Sequence, residues 1–185
     1  MKIVDDEMLN NLKKSCKIKS DESENTIPFF SEDTNIDELK QYDKYKSRVL
    51  KYALYKKRSE AEIINKFSKE IPEDILVSIL RDLKQYNYID DNNYIKRTVN
   101  EFMAIKTLSK YEIKNKLLAK GIKLDLIEDF FEKNSEELDE FELKSCKKLI
   151  KKNINSKEEK KLIEYLYRKG YSQETIKEAI ETLSW

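Results

Sequence analysis

The sequence predicts an all-α fold: an elongated tandem array of three three-helix repeats behind an N-terminal segment that is poorly ordered or loosely docked. Three observations carry this. The 185-residue chain has only two glycines and two prolines, too few corners for a turn-rich β architecture. From about Asp43 onward, apolar residues recur almost continuously at helical spacing. A helix-start signature, Ser-x-x-Glu, occurs three times at intervals of about 50 residues.

Residues 1–42 differ from the rest. "KSDESENTIPFFSEDTNIDELKQ" places acidic and small polar residues around a short apolar knot, Ile27-Pro28-Phe29-Phe30, a composition that buries too little apolar surface to order itself. Phe29 and Phe30 are expected to dock onto the chain's own core or onto a partner, with the core preferred. Residues 1–43 hold six basic and eleven acidic side chains, a balance of −5. The overall charge of +1 therefore leaves +6 on the remainder. A basic body suits a polyanionic partner or a protein that itself binds DNA. Only five of the whole chain's 37 cations are arginine, the residue better suited to bidentate base recognition.

The repeats follow. Val49, Ala53 and Leu54 fit one helical face, as do Ile75, Ile79 and Leu83, and later Ile113, Leu117 and Leu118. The signatures are "SEAE" at 59–62, "SKYE" at 109–112 and "SKEE" at 156–159. In such a capping box the serine oxygen accepts from the N–H three residues on, and the glutamate reaches back to the serine N–H. Two of the helices so opened close on glycine: Ile113-x-x-x-Leu117-x-x-x-Gly121 and Leu162-x-x-x-Leu166-x-x-x-Gly170. A glycine there lets the chain leave the helix through a left-handed residue, and the preceding lysine suits the helix C-terminus. A further helix follows each turn, Asp125 to Phe131 and Ser172 to Leu183, with Ser172 as N-cap. In the first copy "KEIPED" is one residue shorter and turns the corner without glycine, with Pro72 in the first turn of the next helix. Upstream amphipathic stretches, Tyr45 to Lys57, Asn93 to Leu108 and Leu138 to Lys152, complete units near 43–90, 91–134 and 135–185. Each is too small to be robust alone, so stacking is expected.

Several functions lose ground. Histidine is absent, which removes the commonest general base near neutral pH, and Cys16 and Cys146 lie far apart in dissimilar surroundings. No catalytic residue, metal site or cofactor site is expected, and neither a phosphate loop nor a nucleophile motif is present. No apolar run approaches a membrane span and no hydrophobic signal segment opens the chain, so a soluble, cytoplasmic monomer is expected.

In combination these stretches resemble the RecX family of bacterial recombinase regulators. "ALYKKRSEAEI" at 53–63 is similar to the family's Ala-Leu…Arg-x-Arg-Ser-x-x-Glu-Leu stretch, with Arg58, Ser59, Glu62 and Ile63 aligned. "LKQYNYIDDNNYIKRTV" at 83–99 matches through Ile89-Asp90-Asp91 and Tyr94, while Asn87 stands where the family has glycine. "IKNKLLAKGI" at 113–122 and "KKLIEYLYRKGYSQETIKEAI" at 160–180 fit the later repeats. The match covers about 140 of 185 residues. It implies a protein that binds the RecA filament on single-stranded DNA and limits its ATP turnover and strand exchange. Residues 1–42 depart from the β-rich N-terminal segment of many members.

Candidate contact residues fall on basic faces. Lys144, Lys147, Lys148, Lys151 and Lys152 point outward from one helix whose Leu143, Cys146, Leu149 and Ile150 face inward. Lys110, Lys114, Lys116, Lys120 and Lys123 surround the middle glycine turn, and Arg58, Arg97, Arg168 and Lys169 are further candidates. For each, a solvated face or an internal ion pair is the plainer alternative to phosphate contact. Asp90 and Asp91 read as helix-start charge and capping groups, not as a metal or acid-base pair. Tyr86, Tyr88 and Tyr94 are expected to pack the junction of the first two units, and Tyr165 and Tyr171 to follow core spacing.

Overall fold

The structure, a computed structural model, describes residues 36–154 and 158–183. The described residues form helices α1 (Ile36–Tyr55), α2 (Glu60–Phe67), α3 (Glu73–Gln85), α4 (Asp91–Ile105), α5 (Lys110–Leu118), α6 (Leu124–Lys133), α7 (Ser135–Asn153), α8 (Glu159–Arg168) and α9 (Gln173–Glu181). No strand occurs among them. The all-α class is as expected. Phe29, Phe30 and Cys16 lie outside the described residues.

The helices pack in consecutive threes: α1 with α2 and α3, α4 with α5 and α6, α7 with α8 and α9. Each triplet closes around equivalent positions. Ile63, Phe67 and Ile71 in the first correspond to Ile113, Leu117 and Ile122 in the second and to Leu162, Leu166 and Tyr171 in the third, all buried. Burying each such side chain contributes roughly 1.5–3 kcal/mol. Helix α7 joins two cores. Leu138, near its start, belongs to the cluster of Ile95, Val99, Ile113 and Ile127, whereas Cys146 and Ile150 belong to that of Leu162, Leu166 and Ile176. It accordingly touches α5 and α6 as well as α8 and α9.

Several expectations are corrected at the edges. Helix α1 begins at Ile36, inside the segment assigned to the acidic leader. Asp37 and Glu38 suit the positive end of a helix dipole, and buried Tyr42 extends the apolar face backwards. Leu54 and Leu118 leave their faces for solvent, at 57% and 39% exposure, because each sits one residue beyond the last inward position. Tyr86 is 63% exposed at the end of α3 and packs no junction, whereas Tyr94 packs against the second core.

The two glycines sit in matching corners. Gly121 and Gly170 adopt φ of +75° and +82°. Ile122 N–H donates back to Leu117 O and Gly121 N–H to Leu118 O; Tyr171 to Leu166 O and Gly170 to Tyr167 O repeat the pattern. This Schellman closure satisfies the last helical carbonyls while turning a large apolar residue inward. Asn87 is the one left-handed non-glycine residue described, at φ 56°. Its N–H donates to Lys84 O and that of Tyr88 to Leu83 O, so α3 ends the same way. The first corner closes more tightly: Glu70 and Ile71 N–H both donate to Phe67 O, and Pro72 precedes α3 at φ −52°. Its one-residue deletion keeps Ile71 buried without any left-handed residue.

A Cβ added to Gly121 would lie 2.3 Å from Ala61 Cβ, and one on Gly170 would lie 2.5 Å from the Tyr111 ring. Gly121→Ala therefore meets left-handed strain and overpacking together, a loss of roughly 2–5 kcal/mol. Ala61→Gly in the same chain is expected to recover the overpacking part alone. Denaturant melts of the two single variants and the double variant check this, and additive losses would place Ala61 out of contact.

Candidate functional site

A helix start leaves backbone N–H groups without intrahelical partners, and burying it requires each to be satisfied. Ser59 and Ser109 are fully buried helix caps. Ser59 Oγ accepts from Glu62 N–H at 3.2 Å, and the Glu62 carboxylate accepts from Ser59 N–H at 3.2 Å. Ser109 and Glu112 form the same box at 3.1 and 3.4 Å. Both boxes are as the spacing predicts.

Each box also grips the next triplet. The Ser59 hydroxyl donates to the Lys120 carbonyl at 2.7 Å, and the Lys120 ammonium lies 3.1 Å from Glu62. The Ser109 hydroxyl donates to the Lys169 carbonyl at 2.6 Å, and the Lys169 ammonium lies 2.9 Å from Glu112. The first N–H of each capped helix is met by a carboxylate from the following triplet's first helix: Glu60 N–H donates to Asp91 at 3.0 Å, Lys110 N–H to Glu142 at 2.7 Å. Serine, glutamate, lysine-glycine corner and cross-joint carboxylate thus make one latch, used twice.

The third copy departs from expectation. Ser156 lies outside the described residues, and α8 starts at Glu159 with Glu158 in the capping position. Leu162 and Leu166 follow Glu158 by the same four and eight residues that separate Ile63 and Phe67 from Ser59. The equivalent of the latch serine is therefore Glu158. Its side chain makes no cap bond and pairs instead with Lys161 at 3.0 Å. No further lysine-glycine corner follows among the described residues, so this helix start carries no serine latch.

The acids at the joints respond in opposite ways. Burial pushes Glu62 upward, but the Lys120 and Ser59 hydrogen bonds outweigh it and hold the carboxyl below its ordinary value. Burial raises Asp91 above the ordinary value, with Glu60 N–H opposing. Lys120 and Lys169 are raised, chiefly by their hydrogen bonds to Glu62 and Glu112. Asp90 caps α4 by accepting from Asn93 N–H at 3.0 Å, the structural role expected of it, while its neighbour Asp91 serves the helix across the joint.

The candidate cations divide into two sets. Arg58 stacks on Tyr52, 4.5 Å from the ring centroid, and lies 3.9 Å from Glu62. Lys110 pairs with Asp139 and Glu142, Lys114 with Glu128, Lys120 with Glu62 and Lys169 with Glu112. These hold the fold's own acids. Arg97, Lys116, Lys123, Lys144, Lys148, Lys151, Lys152 and Arg168 are exposed, and Lys147 is half-buried. None of these nine has an ion-pair partner among the described residues. Four of the five α7 lysines are thus exposed while Cys146 and Ile150 are buried, as the pattern predicts, and Lys147 is the partial exception. Burial pushes the Cys146 thiol up to about 12, which leaves it protonated and unreactive.

Sequence reasoning missed Asp91 as a cross-joint acceptor and Glu142 altogether. Glu142 is 3% exposed, and its signal was present: it interrupts the inward series Leu138, Cys146 and Ile150 at four-residue spacing. A charged residue on a buried stripe points to a partnered polar contact.

The fold defines an all-helical protein whose triplets are latched in series. A family model described as "RecX, third three-helix domain" matches residues 146–180. The regulatory protein RecX of Staphylococcus carnosus is 28% identical over 158 residues, covering 82% of this chain and 59% of the relative. That of Finegoldia magna is 32% identical over 141 residues, covering 70% of this chain and 66% of the relative. A crystal structure of RecX from Lactobacillus salivarius superposes with a TM-score of 0.68 at 25% identity, over 78% of this chain and 97% of that one. The chain belongs to the RecX family of regulatory proteins. It spans 59% and 66% of the length of those two relatives. No helix among the described residues is long and apolar enough to cross a membrane.

The latch sets a pH window. Glu62 titrates below its ordinary value of 4.5 in the folded chain, so its contribution is present above that pH and lost as pH falls through the lowered value. Lys120 titrates above 10.5, so its contribution is present below that pH and lost as pH rises through the raised value. Thermal melts across pH check both limbs. The stability gap between wild type and Glu62→Gln is expected to shrink on the acid side as Glu62 protonates, and that to Lys120→Met on the alkaline side as Lys120 deprotonates. Each gap is also expected to narrow at the opposite limit, where the partner loses its charge.

Proposed function

We propose that this chain binds the RecA recombinase filament on single-stranded DNA and restrains its ATP hydrolysis and strand exchange, and with them recombinational DNA repair. The observation that carries this reading is membership of the RecX family, supported over most of the chain by both sequence and fold. Its physical complement is the latched row of helices. Units near 43–90, 91–134 and 135–185, held in register, offer a surface that follows a repeating partner, and such binding requires no catalytic group. Contact on this reading falls to the unpaired cations, Arg97, Lys116, Lys123, Arg168 and the lysines of α7. Arg58, Lys110, Lys114, Lys120 and Lys169 support the surface from within. The protein acts as a cytoplasmic monomer and uses no cofactor.

A second reading, sequence-nonspecific DNA binding without a recombinase partner, draws on one feature. Five lysines without ion-pair partners among the described residues lie on α7, and such a stripe attracts phosphates.

A filament assay with the cognate RecA, ATP and single-stranded DNA separates the two. Shortened filament lifetime and reduced ATP hydrolysis at saturating protein are expected, and unchanged values of both would sink the recombinase reading. The alternative predicts binding to bare DNA whose log affinity falls with log salt by about 0.7 per single-strand phosphate contacted, with no added effect of RecA. Lys147→Glu, Lys148→Glu and Lys151→Glu together would abolish that binding.

A further inference from the structure

A groove runs between the C-terminal end of α4 and the middle of α7, where the second and third triplets meet. Its apolar part is formed by Met103, Ala104, Ile105 and Phe141. Ile105, the last residue of α4, is 74% exposed, a large aliphatic side chain with little packed against it. Along α7 the groove is lined in order by Glu137, Glu140, Phe141, Lys144 and Lys148. These stand at helical positions i, i+3, i+4, i+7 and i+11, so they share one face over about 16 Å.

The charges are graded: two acids at one end, two lysines at the other. Lys106, the residue just after α4, adds a third lysine to the lining, its ammonium 4.6 Å from the Phe102 ring centroid. None of the five has an ion-pair partner among the described residues, whereas the neighbouring Lys110 and Asp139 pair with each other. An apolar strip with unpaired charges of opposite sign at its two ends is a surface whose complement is missing.

We propose that this groove seats an amphipathic segment of a protein partner. Its apolar side covers Ile105 and Phe141, its acidic end lies over Lys144 and Lys148, and its basic end lies over Glu137 and Glu140. Nucleic acid fits poorly, because Glu137 and Glu140 repel phosphates and Ile105 offers them nothing. The length suits about three turns of helix, the mode in which an apolar stripe enters a groove and flanking charges set its direction. The proposal rests on the recombinase reading only in taking the recombinase as that partner. It divides the α7 lysines: Lys144 and Lys148 belong to the groove, while Lys151 and Lys152 lie beyond it.

Two arms test it with the full chain, each variant first shown to melt like wild type. In the first, affinity for the assembled recombinase filament is measured. Ile105→Asp and the pair Lys144→Glu with Lys148→Glu are each expected to weaken binding by about tenfold or more, the scale of a central interface contact. Lys160→Glu with Lys177→Glu, two exposed lysines outside the groove and outside the contact candidates, is expected to stay within about twofold at the same salt. Wild-type affinity in Ile105→Asp would overturn the groove while leaving the recombinase reading intact. Should the wild type not bind the filament at all, the recombinase reading falls and the second arm decides. There, two labelled helical peptides of one composition, carrying acid-apolar-base and base-apolar-acid order, are titrated by fluorescence anisotropy. One order binding well above the other, and losing affinity in Ile105→Asp, supports the groove. Equal binding of both, or of neither, overturns it.

Discussion

The interaction on which the rest depends is a buried serine hydroxyl that serves two helices at once. Ser59 and Ser109 each complete the start of their own helix and tie it to the lysine carbonyl at the corner of the next triplet. A helix start is ordinarily a polar, solvated feature, and placing it at a joint demands partners for every donor. Asp91 and Glu142 supply them for the first N–H groups. The glycines follow from the same demand. Gly121 and Gly170 bring a carbonyl to the serine at close range, and their missing side chains leave room for Ala61 and Tyr111. Each joint is therefore directional, fixed by hydrogen bonds as well as by apolar contact.

Much of this was legible before the structure. The scarcity of glycine and proline, the helical spacing and the recurring boxes led to the helix class and to both glycine corners. That they are Schellman closures is read from their hydrogen bonds, with a left-handed exit alone expected from the sequence. The capping boxes at Ser59 and Ser109 were readable because they are local, three residues across. What lay beyond the sequence was the second bond of each serine, to a carbonyl about 60 residues away, since no local pattern encodes a backbone acceptor. The third box was misplaced for a related reason. Ser-x-x-Glu is frequent in a Glu-rich chain, and only the spacing to Leu162 and Leu166 puts Glu158 in the serine's position.

The candidate site was legible in part. The outward lysines of α7 came from periodicity alone, Lys147 proving half-buried, and none has an ion-pair partner among the described residues. The lysines around the middle corner shared their composition but not their role. Lys110, Lys114 and Lys120 are drawn into ion pairs by acids on other helices, which a linear reading does not bring together. Charge and spacing indicate which residues are outward. Tertiary packing decides which outward charges remain available to a partner, and at the joints the same residue types are spent on internal order. On the proposed reading, the hydrogen-bonded joints set the positions of the exposed cations and of the groove beside them.

The most direct measurement of the central claim is amide hydrogen exchange at the first residue of three helices. Such N–H groups at a free helix start exchange rapidly, because water is their only partner. The account predicts slow exchange at Glu60 and Lys110, bonded across the joints to Asp91 and Glu142. It predicts fast exchange at the equivalent Glu159, whose helix start has no side-chain cap. Equal, rapid exchange at all three would contradict the latch.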